Sequence, residues 1–221
     1  MKGHLAPLYA RAGLRTRWYV RLRPYILPVD AIDRCLPQQG LILDVGCGYG
    51  VLTNMLAMRA PGRFLVGLDA DAERIAIAQG TVGNRPNVAF LVADALHVPS
   101  RGYDGIVLTD FLHHLPIEAQ NDFLRQASRK LNPGGVMAIR EVGDSPRWKH
   151  AMSHLADRVL YPRDRIHYRR PAELTATLHA LGFDVEVMPD HRRSPFCTYL
   201  YVCRKSRSAK AGVSASPASP R

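Results

Sequence analysis

Three aspartates in this 221-residue sequence each follow an apolar run: Asp44 in "LILDV", Asp69 in "FLVGLD" and Asp94 in "AFLVAD". An acid at the end of a buried strand is a recognition group, because strand ends open onto the crevice where ligands bind in open α/β sheets. Asp44 is followed by Gly46-x-Gly48-x-Gly50. Glycines there let the backbone approach a ligand closely, and the helix that follows offers unpaired N–H groups. Val51 stands where a dinucleotide fingerprint has its third glycine, which disfavours a pyrophosphate cradle. A carboxylate at Asp44 also repels phosphate and suits a ligand with an ammonium group. Asp69 can accept both hydroxyls of a ribose, and Asp94 can accept from an exocyclic adenine amine.

One ligand carries an adenosine, a ribose diol and an ammonium group, and no phosphate: S-adenosylmethionine. Each acid alone also fits a helix cap or a turn, so the reading rests on all three together. The series DVGCGYG, GLDAD, VADAL, TDFLHHL and LNPGG resembles the class I S-adenosylmethionine-dependent methyltransferases. Within them it is most similar to the methyltransferase type 11 group, which includes ubiquinone- and menaquinone-biosynthesis enzymes. The resemblance covers Leu41 to Val142, and its motifs specify the cofactor far more than the substrate. It implies a seven-stranded sheet with an antiparallel last strand. It also implies that Gly46 and Gly48 contact the methionine part and that Asp69 holds the ribose. Asp94 and Ala95 would then flank adenine, with Asp110 near the cofactor on the fourth strand. Cys47, Gly50 and Ala70 complete the expected cofactor-binding set.

Methyl transfer from a sulfonium is an in-line displacement, for which the protein mainly aligns the nucleophile and excludes water. A phenol, hydroxyl or carbon acid also needs a base. The candidates are His113 and His114, in "DFLHHLP", and Glu141, which ends the fifth strand and is expected to face the substrate cavity. Simpler roles are packing under the loop for the histidines and pairing with Arg140 or an arginine of the lid for Glu141. The fourth strand lacks the Asn/Asp-Pro-Pro-aromatic tetrad that related enzymes use on nucleobase or amide nitrogens, which lowers the expectation of a nucleobase substrate. Cys35, Cys47, Cys197 and Cys203 show no C-x-x-C spacing and no paired histidine motif, so no metal is expected and free thiols in a reducing cytoplasm are the simpler reading.

The elements that must position these residues alternate. Strands are expected at LILDV, RFLVGLD, NVAFLVAD, YDGIVLTD and GVMAIREV, with helices at VLTNMLAMRA, DAERIAIAQGT, IEAQNDFLRQASRKL and PAELTATLHALG. FDVEVMP and PFCTYLYVCR leave no room for a helix between them and read as an antiparallel hairpin. The fold class is therefore α/β: a Rossmann-like, doubly wound seven-stranded sheet. The organisation read from the sequence is a basic helical segment over 1–35, a methyltransferase domain over 36–203 and a disordered basic tail over 204–221. Gly143 to Arg170 is too long for an ordinary connection and is expected to form a lid.

Hydrophobic residues make up 47% of the chain, which suits a globular protein. No apolar run has the length of a membrane span, and the N-terminus lacks the apolar core of a secretory signal. The net charge of +11 resides in two segments: residues 1–23 hold six Lys/Arg and residues 204–221 hold five, neither with an acid. A basic, aromatic rim from the N-terminal segment and the insertion could attract a small anionic acceptor, an acidic carrier protein with a tethered chain, or an anionic membrane surface. A solvated basic face, with Trp18 and Trp148 as packing anchors, is the plainer alternative. The expected function is methylation of a small hydrophobic or aromatic molecule in the cytoplasm, with peripheral membrane contact conceivable. An RNA methyltransferase and a catalytically silent cofactor-binding subunit are the alternatives; nucleic acid is not the expected partner, as no added binding module is visible.

Overall fold

The apolar runs form the strands β1 (Gly40–Val45), β2 (Arg63–Asp69), β3 (Val88–Val92), β4 (Tyr103–Thr109), β5 (Leu131–Val142), β6 (Phe183–Pro189) and β7 (Thr198–Lys205). The helices are α1 (Leu14–Ile26), α2 (Val29–Cys35), α3 (Val51–Arg59), α4 (Ala72–Gln79), α5 (Ile117–Lys130), α6 (Arg147–Leu160) and α7 (Pro171–Ala180). They are seen in a computed structural model that describes residues 5–94, 102–160, 165–190 and 196–206. Ala95 and residues 207–221 of the expected tail lie outside the described residues.

All seven strands join one sheet in the order β3-β2-β1-β4-β5-β7-β6. β1 to β5 pair in parallel, whereas β7 lies between β5 and β6 and is antiparallel to both. The hairpin read from the sequence is thus present, and its second strand inserts into the sheet. Arg204 and Lys205, assigned to a tail by the sequence reading, belong to β7. Arg204 and Lys205 pair with Asp184 and Phe183 in β6. Lys205 Nζ also donates to the carbonyls of Ser128 and Leu131 at the end of α5 (both 2.6 Å), where a cation is favoured.

Strand alternation divides the core. Ile42, Val107, Val136, Ala138, Leu200 and Val202 face one layer, with Ile32 of α2, Leu56 of α3 and Ile75 of α4. Leu43, Ile106, Met137, Ile139 and Tyr201 face the other, with Phe123 of α5 and Leu178 of α7. The chain runs outward from β1 to β3 and then returns to place β4 on the other side of β1. The β1/β4 boundary is therefore the topological switch point, where ligands bind in such sheets.

The N-terminal segment is helical but broken. A 3-10 turn over Ala6–Tyr9 stops, and α1 starts afresh after Gly13, whose extended backbone resets the helical phase. The 3-10 turn and α1 therefore do not form one continuous helical face. The residues of α1 that anchor it are Thr16, Val20 and Pro24, and Leu22 is exposed.

The N-terminal helices are tied to the sheet by the fully buried side chain of Arg63 at the start of β2. It pairs with Asp33 of α2 (2.5 Å) and donates to the carbonyls of Pro37 (2.6 Å), Asp33 (3.0 Å) and Leu36 (3.3 Å). Replacing Arg63 by methionine keeps the bulk but leaves these buried acceptors without their donor. Arg63→Met is expected to cost about 3 kcal/mol, read as a fall in Tm of roughly 6–12 °C in thermal denaturation. A change below about 2 °C would show that the clamp carries little of the fold's stability.

Candidate functional site

β1 ends at Val45 and the chain turns through Gly46, Cys47, Gly48, Tyr49 and Gly50 into α3. The loop is stitched to β2: Cys47 N donates to Leu68 O (2.9 Å) and Gly48 N to Asp69 Oδ2 (2.8 Å). Two of its glycines answer to different constraints. At Gly50 (φ +73°) an added Cβ would lie 2.5 Å from the Phe90 ring, so close packing excludes a side chain. At Gly48 (φ +54°) a Cβ would meet nothing within 4 Å, because the space beside it is a cavity. That cavity has a volume of about 530 Å³, within the range of small-molecule sites.

Of the residues expected to hold a cofactor, Asp44, Gly46, Cys47, Gly48 and Asp110 line this cavity, and so do His113 and His114. Asp44 is fully buried. Thr53 Oγ1 of α3 donates to its Oδ2 (2.6 Å), and its Oδ1 has no hydrogen-bond partner among the described residues. Burial, helped by the nearby Asp69 charge, raises its pKa to about 7 despite the Thr53 bond. Burial also pushes the Cys47 thiol far above its usual range, reinforced by Asp44 and Asp69, so it is no nucleophile.

The other acids are placed differently. Asp69 accepts from Gly48 N through Oδ2 and from Asp71 N (2.9 Å) through Oδ1. It fixes the glycine loop, and each oxygen keeps a second lone pair for a ligand hydroxyl. Ala70 and Asp94 are exposed at the ends of β2 and β3, outside the lining of the cavity. Gly50 lies beneath the loop, packed on Phe90.

Asp110 follows β4 with a left-handed backbone (φ 54°), unusual for a residue with a side chain. Its Oδ2 accepts from Arg23 of α1 (2.7 Å) and its Oδ1 pairs with Arg140 of β5. Burial would raise the Asp110 pKa, but the two guanidinium groups outweigh it and hold it at about 2. Arg140 is itself 1% exposed and also donates to Asp190 Oδ2 (2.8 Å) and Thr198 Oγ1 (3.1 Å). Arg23 and Arg140, both in the cavity wall, were not among the residues expected to form the site. A charged residue inside the apolar run "GVMAIREV" was the available signal for Arg140.

Glu141 does not face the cavity, contrary to expectation. Strand alternation puts Arg140 and Val142 on the cavity side and turns Glu141 to the opposite face, where it is buried. Its Oε1 accepts from the backbone N–H groups of Phe111 (3.0 Å) and Leu112 (2.6 Å), and its Oε2 lies 2.6 Å from His113 Nδ1. Glu141 therefore holds the loop after β4 and the His113 ring. Where Nδ1–H donates to the carboxylate, the lone pair of the neutral ring is on Nε2. The His113 ring is stacked on Tyr168 of the insertion (centroids 5.5 Å apart) and tilted against His114 (4.5 Å). Backbone ties add to this, with His167 N donating to His113 O (2.7 Å). Ser153 and Ala156 of α6 line the cavity, so the insertion reaches the glycine loop's side of the sheet.

The residues present fit S-adenosylmethionine. A buried carboxylate oxygen with no partner is costly, and an ammonium group would complete it. Asp44 would hold the amino group, Gly46 and Gly48 the backbone-contacting part of the ligand, and Asp69 the ribose. Among the described residues no group of three or more His, Cys, Asp or Glu could hold a metal ion.

Comparison with known proteins gives the same reading of the fold and the cofactor. Residues 19–187 match the family described as methyltransferase domain. The chain is 30% identical to the ubiquinone biosynthesis O-methyltransferase of Azorhizobium caulinodans, over 83% of this chain and 74% of that protein. It is 36% identical to an uncharacterized methyltransferase of Mycobacterium bovis over 44% of this chain, and there the match spans only about half (48%) of that protein's length. Its fold superposes on the magnesium protoporphyrin IX methyltransferase of Synechocystis, solved with bound SAH. The TM-score is 0.68 at 18% identity, over 90% of this chain and 92% of that one. With the glycine loop, the open carboxylate of Asp44 and the sheet order all in place, the chain belongs to the class I S-adenosylmethionine-dependent methyltransferase family.

Proposed function

We infer that the protein transfers the methyl group of S-adenosylmethionine to a hydroxyl of a small hydrophobic or aromatic acceptor, with His113 as the base. The observation that carries this is the His113–Glu141 pair beside the glycine loop: a buried carboxylate orients the imidazole of a residue that lines the cavity. The cofactor, when bound, would supply an activated methyl group whose bond to the sulfonium sulfur breaks in the displacement, with a neutral thioether as leaving group. The protein's part is to hold the acceptor in line and receive its proton. His113 Nε2 takes the hydroxyl proton as the oxygen–carbon bond forms, and Glu141 stabilises the resulting imidazolium. Tyr19, Leu27, Leu52, Val142 and Phe196 give the cavity wall an apolar and aromatic character suited to such an acceptor. Arg15 and Arg74 at the same cavity suit an acceptor with an anionic group, or one tethered to an acidic carrier. The names of relatives, which include a ubiquinone biosynthesis O-methyltransferase and a 2-phytyl-1,4-naphtoquinone methyltransferase of Thermosynechococcus vestitus, support an acceptor of this class. The four free cysteines are in keeping with a reducing cytoplasm.

Transfer of labelled methyl to a panel of phenols, catechols and hydroquinones tests this directly. Wild type is expected to methylate at least one, and His113→Ala to lower kcat by about 10²–10⁴-fold with cofactor affinity unchanged. Glu141→Gln should also lower kcat, since an amide presented to Nδ1 favours the wrong tautomer. Full activity in His113→Ala, or a wild type that binds cofactor and methylates none of the panel, would overturn the reading.

Asp44 adds a pH dependence. The folded protein holds a proton on Asp44 up to about pH 7, whereas a carboxyl in the unfolded chain releases it near pH 4. In the ligand-free protein this favours the folded state at low pH, a contribution lost as pH rises from there to about 7. Cofactor binding has the opposite sign, because an ammonium group needs the carboxylate. Affinity measured by calorimetry should rise by up to tenfold per pH unit between roughly pH 5.5 and 7 and level off above, and Asp44→Asn should flatten the profile. A wild-type profile that is already flat would mean that Asp44 does not ionise on binding.

A further inference from the structure

Two helices that border the cavity carry rows of apolar side chains that are turned to solvent. On α1, Thr16, Tyr19 and Arg23 face the cavity, while Leu14, Trp18, Leu22 and Tyr25 repeat at helical spacing on the far side. These four are 53–73% exposed. On α6, Ser153 and Ala156 face the cavity, and Trp148, Met152 and Leu155 form the outer row, 42–65% exposed. Trp18 and Trp148 are therefore not packing anchors. Single exposed apolar residues are ordinary; two rows on two helices that border one cavity mark an interaction surface.

Charge says what the surface meets. α1 contains four arginines and no acid, with Arg17 and Arg21 exposed beside the Trp18–Leu22 row. On α6, Arg147 and Arg158 are exposed, and Lys149 places its ammonium 5.3 Å over the Trp148 ring. Tryptophan and leucine along the centre of a helix, with arginine at its margins, is the composition that settles at the headgroup level of an anionic bilayer. Pairing with a second copy through α1 would set Arg17 and Arg21 against their own counterparts, which is repulsive. No helix among the described residues is long and apolar enough to cross a membrane, so such contact is at the surface.

We propose that α1 and α6 dock the cavity mouth onto an anionic lipid surface. Docking brings the cavity to a lipid-soluble acceptor and spares that acceptor a passage through water. Only this purpose rests on the proposed function; the docking itself needs neither cofactor nor acceptor and is tested without them.

The chain has two tryptophans, Trp18 and Trp148, and both are in the proposed surface. Tryptophan emission therefore reports on this surface. The full chain is mixed with phosphatidylcholine vesicles, with and without phosphatidylglycerol, and co-sedimentation and emission are recorded. The expected result is binding at least about tenfold tighter on the anionic vesicles, with a blue shift in both Trp18→Phe and Trp148→Phe. Raising the salt should weaken it. Trp18→Ser/Leu22→Ser should lose most vesicle binding with an unchanged Tm, since both side chains are exposed. Four results would each overturn the proposal: no vesicle binding; equal binding to neutral vesicles; a blue shift that persists only in Trp18→Phe or only in Trp148→Phe; or a lipid-free dimer, seen by sedimentation equilibrium, that Trp18→Ser/Leu22→Ser abolishes. Cofactor binding, measured separately by calorimetry, shows whether a failure is of docking alone or of the proposed function as well.

Discussion

The site depends on one carboxylate that the fold leaves half satisfied. Asp44 sits at the end of β1, at the point where the strand order reverses, and is sealed from solvent. Thr53 completes one oxygen, and the other has no partner among the described residues. An unsatisfied buried acceptor costs about 1–3 kcal/mol, so the folded chain carries a local cost that a cationic ligand group would remove. The rest of the loop follows from giving that ligand access. Gly48 leaves the adjoining space open, Gly50 lets the chain turn tightly under Phe90, and Asp69 pins the Gly48 amide to β2.

A second set of charges is closed on itself. Asp110, Arg140, Arg23 and Asp190 form an alternating chain of two carboxylates and two guanidinium groups between α1, β4, β5 and the end of β6. Its charges cancel, so it shapes one wall of the cavity and contributes no strong net field. It also connects α1 to the sheet at the cavity itself, while Arg63 does so at the other end of the strands, through α2. The contrast with Asp44 is instructive. Asp110 has two arginines and stays ionised far below neutrality, while Asp44 has a hydroxyl and a neighbouring acid and holds its proton to about pH 7. Two aspartates in one cavity thus have different tasks, set by their neighbours.

Much of this was legible in the sequence because it is local. Apolar runs of strand length gave the sheet, and Asp44, Asp69 and Asp94 with Gly46 and Gly48 pointed to the ligand, although Asp94 is exposed outside the cavity lining. What failed depended on phase or on distance. β5 is buried on both faces, so "GVMAIREV" carries no alternation to say whether Arg140 or Glu141 faces the cavity. A one-residue choice then decided between a buried ion-pair network and a direct site role for Glu141. Likewise the break at Gly13 separates the N-terminal turn from α1, and Trp18, a packing anchor in the plainer reading, is turned to solvent. The pairing of Arg140 with Asp190, fifty residues apart, left no local trace. Lys205 was placed in a tail because its neighbours are low in complexity, yet its ammonium finds the last carbonyls of α5.

The central claim is that the chain binds S-adenosylmethionine and that the buried Asp44 oxygen accepts its ammonium group. Calorimetric titration of ligand-free protein with S-adenosylmethionine and with 5′-methylthioadenosine, which keeps the nucleoside but has no amino-acid part, tests it most directly. The account predicts saturable binding of the first near micromolar Kd, and of the second at least about 100-fold weaker, a difference of roughly 2.7 kcal/mol. Equal affinities would show that Asp44 does not recognise the ammonium group, and no binding of either would contradict the account of the glycine loop altogether.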